Sequence, residues 1–112
     1  MRIGVIGVGS LQGDDAVGLF VAERLRAGSL PAGVSVTALN RPGMALVEVL
    51  GRLDAAVIVD AVSTRELEWL PGTVVDLDAA QLRRVASASS HGLGVADALA
   101  LAAALERGPR IV

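Results

Sequence analysis

The chain opens with a continuous apolar run that ends in a glycine-rich turn, and this order constrains the fold more than any other feature of the sequence. Residues 2–7 lack the polar alternation of a half-exposed strand, which is typical of a strand buried on both faces of a parallel sheet. Apolar positions then recur at helical spacing from Val17 to Leu25, and Gly28 is a candidate helix stop. A strand, a loop and a helix in this order predict the first unit of an α/β domain.

The same alternation continues along the chain. Residues 34–39 are interpreted as a second strand, residues 44–53 as a second helix and residues 55–62 as a third strand. Repeated strand and helix units joined by right-handed crossovers predict a three-layer, doubly wound, mostly parallel sheet with helices on both faces. The length suits a single domain over residues 1–112.

The remaining residues give a less regular pattern. A turn at residues 71–72 precedes a predicted fourth strand at 73–77, which need not run parallel because only about ten residues join it to the third strand. A short helix is predicted over residues 78–84 and a longer one over residues 94–107. Residues 110–112 resemble the beginning of a fifth strand.

The composition excludes several classes of protein. One Phe, one Trp and no Tyr leave no aromatic platform for stacking bases, and the ten basic residues, all Arg, are spread along the chain, so no nucleic-acid partner is expected. The absence of cysteine excludes thiolate metal sites and cysteine nucleophiles. The longest apolar stretch, residues 93–105, is too short to cross a membrane and contains Asp97. We expect a soluble, cytoplasmic protein.

Three residues far apart in the sequence stand at predicted element ends. Asp15 lies at the first loop-to-helix junction, Asp60 at the end of the third strand and His91 just before the last helix. In an open α/β sheet these positions face one crevice, where two carboxylates and an imidazole could bind a divalent metal. Each has a simpler interpretation: Asp14 or Asp15 could cap a helix, and His91 could be a loop histidine. Asp60 is harder to dismiss, because an unpaired carboxylate in an apolar strand is costly.

The glycine turn also invites a nucleotide-binding interpretation. The dinucleotide fingerprint requires a third glycine three residues after the second, whereas Gly13 follows Gly9 one place late, and the second strand ends at Asn40 instead of an acidic residue. Two aspartates at the helix start would also repel a phosphate. We therefore rank nucleotide binding below metal or peptide recognition, and no Gly-x-Ser-x-Gly elbow supports a serine hydrolase.

Four segments match a known family pattern. The opening MRIGVIGVGS followed by DDAVG, the segment VDA at residues 59–61 and the segment SHGL at residues 90–93 resemble the signature regions of the hydrogenase maturation proteases. These endopeptidases trim the C-terminal extension of the nickel-iron hydrogenase large-subunit precursor. The resemblance covers nearly the whole chain and implies the same α/β fold.

The resemblance also implies roles for the three residues. Asp15, Asp60 and His91 take the positions of the nickel-recognising residues, and Asp15 and Asp60 are the candidate catalytic groups of an aspartic-type peptidase. The implied partner is the precursor, the implied metal is the nickel already installed in it, and no organic cofactor is implied. Cleavage would activate the hydrogenase only after nickel insertion.

The chain departs from the family pattern in two places. Ser10 stands where the family usually has Asn, and the following loop is one residue short. The last family strand is expected to be missing, which would leave exposed strand edges and allow self-association. The alternative function is therefore a non-catalytic module that binds metal or precursor. A precursor that is bound without a change in size would identify such a module.

Overall fold

A computed structural model describes residues 1–61, 70, 72–76, 100 and 110–111 of the chain, except for the side chains of Asp14, Arg110 and Ile111. Within this part the strands form one four-stranded sheet in the order β2-β1-β3-β4. The strands are β1 (Ile3–Gly9), β2 (Val34–Asn40), β3 (Ala55–Val59) and β4 (Arg110–Ile111). The helices are a short 3₁₀ helix (Gly13–Ala16), α1 (Val17–Arg26) and α2 (Met44–Leu50).

Strand β1 is the central strand of the sheet. It pairs in parallel with β2 on one side and with β3 on the other, with Gly7 opposite both Ala38 and Val59. Two crossover units starting from one strand are the doubly wound arrangement that the sequence predicts. The third strand is shorter than predicted, since it ends at Val59 and Asp60 follows it directly.

The two helices cover opposite faces of the sheet. Side chains alternate along β1, so Ile6 and Val8 point to one face while Gly7 and Gly9 point to the other. The first face carries the core, in which Ile6 and Val8 pack with three residues of α2 and one of β3, namely Leu46, Val47, Leu50 and Ala56. A Cβ atom on Gly7 would collide with the carbonyl oxygen of Gly18, so the second face lies against α1. The predicted three layers are confirmed.

The orientation of α1 differs from the one that its apolar spacing favours. Its buried residues are Gly18 and Ala22, whereas Phe20 is 67% exposed and Val17 and Leu25 are also exposed. The helix lies so close to β1 that a Cβ on Gly7 would be 2.9 Å from the Ala22 Cβ. Large side chains do not fit into that gap, so the small residues of α1 turn inward and its apolar stripe turns outward.

The predictions for the C-terminal part have mixed outcomes. The predicted fourth strand is wrong over residues 73–76, which form no strand; a turn with Gly72 at a φ of 89° precedes them, and Val74 is 93% exposed. The predicted start of a last strand is confirmed, because Arg110–Ile111 pairs in parallel with β3. That strand is thus present at its beginning and not missing. The predicted helix at 78–84 lies outside the described residues, and of the helix at 94–107 only Ala100 is described, in a helical conformation.

No helix in the described part of the chain is long and apolar enough to cross a membrane.

Candidate functional site

The candidate site lies where β1 and β3 end. Ser10 directly follows β1 and Asp60 directly follows β3, and the two strands are parallel neighbours in register. The residues after both strands therefore meet at the carboxyl edge of the sheet, where open α/β sheets bind their ligands. The sequence predicted this position for Asp60.

The loop that follows β1 is closed by hydrogen bonds between its first and last residues. The Ser10 backbone N–H donates to the carbonyl oxygen of Asp15 at 3.1 Å, and the Ser10 hydroxyl donates to Asp15 Oδ2 at 2.6 Å. Asp15 N–H donates to the Gln12 carbonyl at 3.2 Å, so the intervening residues form a tight turn. The loop thus fixes both the backbone and the carboxylate of Asp15.

Helix capping does not explain Asp15. The residue before α1 is Ala16, which has no side chain for capping, and no side-chain hydrogen bond caps the helix. Asp15 lies inside the 3₁₀ helix, and its carboxylate accepts a hydrogen bond from Ser10. The capping interpretation is therefore wrong for Asp15.

Close backbone packing holds the start of α1 over the strand ends. A Cβ on Gly18 would collide with the carbonyl oxygen of Val8 and would lie 2.5 Å from that of Val59. A Cβ on Gly9 would likewise collide with the carbonyl oxygen of Asp15. Because these glycines allow such close approach, Asp15, in the 3₁₀ helix that leads into α1, is kept near the ends of both β1 and β3. The same packing accounts for the Gly7-x-Gly9 turn without a bound nucleotide.

Asp60 is an unusual carboxyl group. Its side chain retains exposed surface, yet neighbouring protein atoms displace enough water to raise the pKa to about 6. The Ala61 N–H, which donates to Asp60 Oδ1 at 2.8 Å, opposes this rise, and the negative charge of Asp15 adds to it. Asp15 and Asp60 are therefore near enough for the charge of one to act on the other, at the edge where β1 and β3 end.

The prediction that Asp60 is enclosed in an apolar strand needs a correction. Because β3 ends at Val59, Asp60 lies just beyond the last ladder position and keeps part of its contact with water. The desolvation that the sequence led us to expect is present, but it is partial. A carboxyl group with a perturbed pKa at the carboxyl edge of an open α/β sheet is a candidate functional position.

The third predicted ligand, His91, lies outside the described residues. Within the described part of the chain no group of three or more potential metal-ligating side chains occurs. The convergence of all three residues stays a prediction.

Ser10 is the site residue whose role the sequence did not reveal. It is 3% exposed, and among the described residues it is the one polar residue that is buried. The sequence showed only a serine five positions before an aspartate, next to glycine. A small polar residue at the end of a buried strand, followed by an acidic residue within one loop length, is the signal that could have indicated the pairing.

Comparisons with solved structures give close matches over almost the entire chain. The hydrogenase maturating endopeptidase HybD from E. coli shares 31% identity, with a TM-score of 0.82 over 99% of this chain and 70% of that one. The solution structure of an endopeptidase from Escherichia coli shares 32% identity, with a TM-score of 0.83 over 100% of this chain and 72% of that one. The chain is a hydrogenase maturation endopeptidase family member. It is accordingly an enzyme, a peptidase with a role in hydrogenase maturation.

Other comparisons are consistent with this family. The hydrogenase 2 maturation peptidase from a Thaumarchaeota archaeon shares 28% identity, with a TM-score of 0.64 over 99% of this chain and 75% of that one. A search with models of protein families found no match, and a search of curated proteins found none either. The family assignment of this endopeptidase therefore rests on the solved structures.

Proposed function

We propose that this endopeptidase removes the C-terminal extension of a nickel-iron hydrogenase large-subunit precursor and recognises the nickel in that precursor through Asp15, Asp60 and His91. The observation that carries the proposal is the pair of carboxylates at the carboxyl edge of the sheet, where desolvation and, to a smaller extent, the negative charge of Asp15 raise the pKa of Asp60. Among the described residues no basic side chain forms an ion pair with Asp15 or Asp60. Like charges held together in this way are costly, and a divalent cation would remove that cost.

The donor set fits nickel. Carboxylate oxygens and a neutral imidazole suit a divalent first-row metal, and the sequence has no cysteine that would select a softer ion. Because the metal belongs to the substrate, the enzyme needs only a partial coordination sphere that completes the one supplied by the precursor. A precursor without nickel would leave the two carboxylates to repel each other, and it would dock less well.

The same carboxylates can serve in hydrolysis. Bound nickel would polarise a nearby carbonyl group or water. Asp60, with a pKa of about 6, is largely deprotonated at neutral pH and is a suitable base for taking a proton from the attacking water. The Ala61 N–H fixes one oxygen of Asp60, and the Ser10 hydroxyl fixes one oxygen of Asp15. Asp15 and Asp60 are therefore the groups that we assign to both recognition and proton transfer.

Precursor cleavage by variants tests the proposal. Asp60→Asn and His91→Ala should each abolish processing of a nickel-bearing precursor while leaving the fold intact, because each removes one ligand. Cleavage is measured as the size shift of the precursor, and the fold is checked by circular dichroism.

Asp54 provides a matched control for Asp60. It precedes the same strand, β3, and lies at the opposite edge of the sheet, so Asp54→Asn makes the same chemical change away from the site. We expect this variant to process the precursor at the normal rate. Normal processing by both Asp60→Asn and His91→Ala would refute the assignment.

A further inference from the structure

We propose that Ser10 is a positioning residue that sets the orientation of the Asp15 carboxylate for nickel recognition. The inference rests on the proposed function and deepens it, because Ser10 touches neither the metal nor the peptide in this role. It acts only through the Asp15 side chain.

The first observation is the placement of the Ser10 hydroxyl. Ser10 is 3% exposed, whereas its loop neighbours Leu11, Gln12 and Gly13 are all exposed. A buried hydroxyl must satisfy its hydrogen-bonding capacity inside the protein. The Ser10 hydroxyl does so twice, since it donates to Asp15 Oδ2 at 2.6 Å and accepts from the Gln12 N–H at 3.4 Å.

The second observation is that the two carboxylate oxygens of Asp15 differ in their hydrogen bonds. A hydroxyl has one proton to donate, so the serine occupies one lone pair of Oδ2 and restricts the rotation of the carboxylate. Among the described residues, no donor binds Oδ1. The carboxylate thus has one anchored oxygen, which is the arrangement of a ligand held by an outer partner.

The third observation is that the backbone supports the same geometry. The Ser10 N–H donates to the Asp15 carbonyl, so the two residues are joined through main chain and side chain at once. Gly9, the residue before Ser10, packs against that same carbonyl oxygen. Backbone contacts therefore hold the two ends of the loop together without the hydroxyl. The hydroxyl contributes the orientation of the Asp15 carboxylate.

Nickel titration tests the inference without requiring cleavage. Nickel chloride is titrated into the full chain and followed by calorimetry for the wild type, for Ser10→Ala and for Ser35→Ala. We expect Ser10→Ala to weaken nickel binding about 10- to 100-fold, the usual loss when the outer partner of a ligand is removed. Ser35→Ala makes the same change on an exposed serine of β2 and should have no effect. Nickel binding by Ser10→Ala within twofold of wild type would overturn the inference.

A double-mutant cycle separates positioning from a general structural role. If Ser10 acts through Asp15, adding Ser10→Ala to Asp15→Ala should produce no further loss of nickel binding. An equal loss from Ser10→Ala with and without Asp15 would overturn the inference. Where Ser10→Ala does not fold, Ser10→Thr and Ser10→Cys replace it. Thr keeps the hydroxyl donor and should bind nickel more tightly than Cys, whose thiol is a weak donor, and equal binding by the two would count against the inference.

The cleavage assay distinguishes failure of this inference from failure of the proposed function. An inactive Asp15→Ala together with a fully active Ser10→Ala would refute only the role of Ser10. Normal cleavage of a nickel-bearing precursor by Asp15→Ala would refute the proposed function and the role of Ser10 with it. A Ser10→Ala variant with a raised KM for the precursor, restored by Ser10→Thr, supports both.

Discussion

The aspartates at the two ends of the sheet have pKa values that are shifted in opposite directions. At the amino edge, Asp54 accepts a hydrogen bond from the Arg2 backbone N–H at 2.6 Å and lies 3.7 Å from the Arg2 guanidinium, and these contacts lower its pKa. At the carboxyl edge, desolvation and the charge of Asp15 raise the pKa of Asp60 to about 6. Strand β3 thus lies between Asp54, whose charged carboxylate stabilises the fold, and Asp60, whose charged form is disfavoured by its surroundings.

The backbone packing differs between the same two ends. At the carboxyl edge the start of α1 touches the strands through glycine, so that a Cβ on Gly18 would collide with β1 and β3. At the other end of the helix, a Cβ on Gly28 would make only an ordinary contact at 3.7 Å with the Leu25 carbonyl oxygen. Helix α1 is therefore packed more closely at its start, over the site, than at its end, and the carboxylates are electrostatically less favourable at the edge that carries the site.

The largest effect should come from Gly18→Ala. In an open helix this change would stabilise by up to about 1 kcal/mol, but here the added methyl group meets backbone atoms that cannot rotate away. We expect a loss of about 3 kcal/mol or more in the free energy of unfolding, measured by urea denaturation. Gly28→Ala is the control and should change the stability by about 0.5 kcal/mol or less. A neutral or stabilising Gly18→Ala would show that the two ends do not differ in packing.

The next effect concerns the pH dependence of stability. The pKa of Asp60 is raised from 3.8 to about 6 in the folded state, so the unfolded chain loses this proton first as the pH rises. The stabilising contribution of the protonated form is complete below pH 4 and is lost as the pH rises through 6. Asp60→Asn removes that loss, so the variant should be more stable than wild type above pH 6 and equal to it below pH 4.

The size of this effect is limited by solvent screening. A rise in pKa from 3.8 to about 6 corresponds to about 3 kcal/mol for a fully enclosed group, and the exposed surface of Asp60 reduces the expected gain to about 1 kcal/mol. Melting temperatures between pH 3.5 and pH 8, a range set by roughly the two pKa values, measure the difference. Parallel curves for the two proteins would contradict the raised pKa.

A smaller effect should come from Arg41, which follows β2 at the carboxyl edge. Its φ of 47° lies in the left-handed region, which is unfavourable for a residue with a Cβ, and its backbone N–H donates to the Gly9 carbonyl at 2.8 Å. Arg41→Gly relieves the strain and keeps the hydrogen bond, but glycine loses more entropy on folding. We expect a net gain of about 0.5 kcal/mol in denaturant titration, and a clear loss would show that the arginine side chain contributes to stability.

The smallest effect should come from Asp54→Asn. The folded-state pKa of Asp54 is lowered, so its contribution is present above pH 4 and is lost as the pH falls through the folded value. The variant should therefore be slightly less stable than wild type at pH 7 and equal to it at low pH, the opposite sign to Asp60→Asn. The difference should also shrink in high salt, since the Arg2 contact is exposed. A stabilising Asp54→Asn at pH 7 would remove the contrast between the two ends.

Sequence patterns predicted much of this architecture because they report local geometry. The apolar run of β1, the glycine turn after it and the position of Asp60 at the end of β3 all follow from strand periodicity and from the parallel arrangement. The position of Asp15 near Asp60 followed from the same rule, since the carboxyl ends of parallel strands share an edge. The role of His91 is a prediction of the same kind.

Other features depended on contacts that no local pattern encodes. The spacing of Val17 and Phe20 favoured an apolar stripe that faces the sheet. The glycines of β1 allow α1 to approach so closely that such side chains do not fit, so Gly18 lies on the inner face instead. The strand predicted at residues 73–77 was wrong over 73–76 because β-propensity alone does not supply a pairing partner. The Ser10 contact with Asp15 arises from the fold of the loop.

The sequence by itself determined the order of strands and helices and the chemical types available at the strand ends, because periodicity and residue chemistry are properties of short segments. Only the tertiary structure decided which side of α1 meets the sheet, which oxygen of Asp15 is anchored and how strongly Asp60 holds its proton. Those three properties depend on how closely separate segments approach each other. At the carboxyl edge α1 and the strands approach closely because their glycines have no Cβ atom.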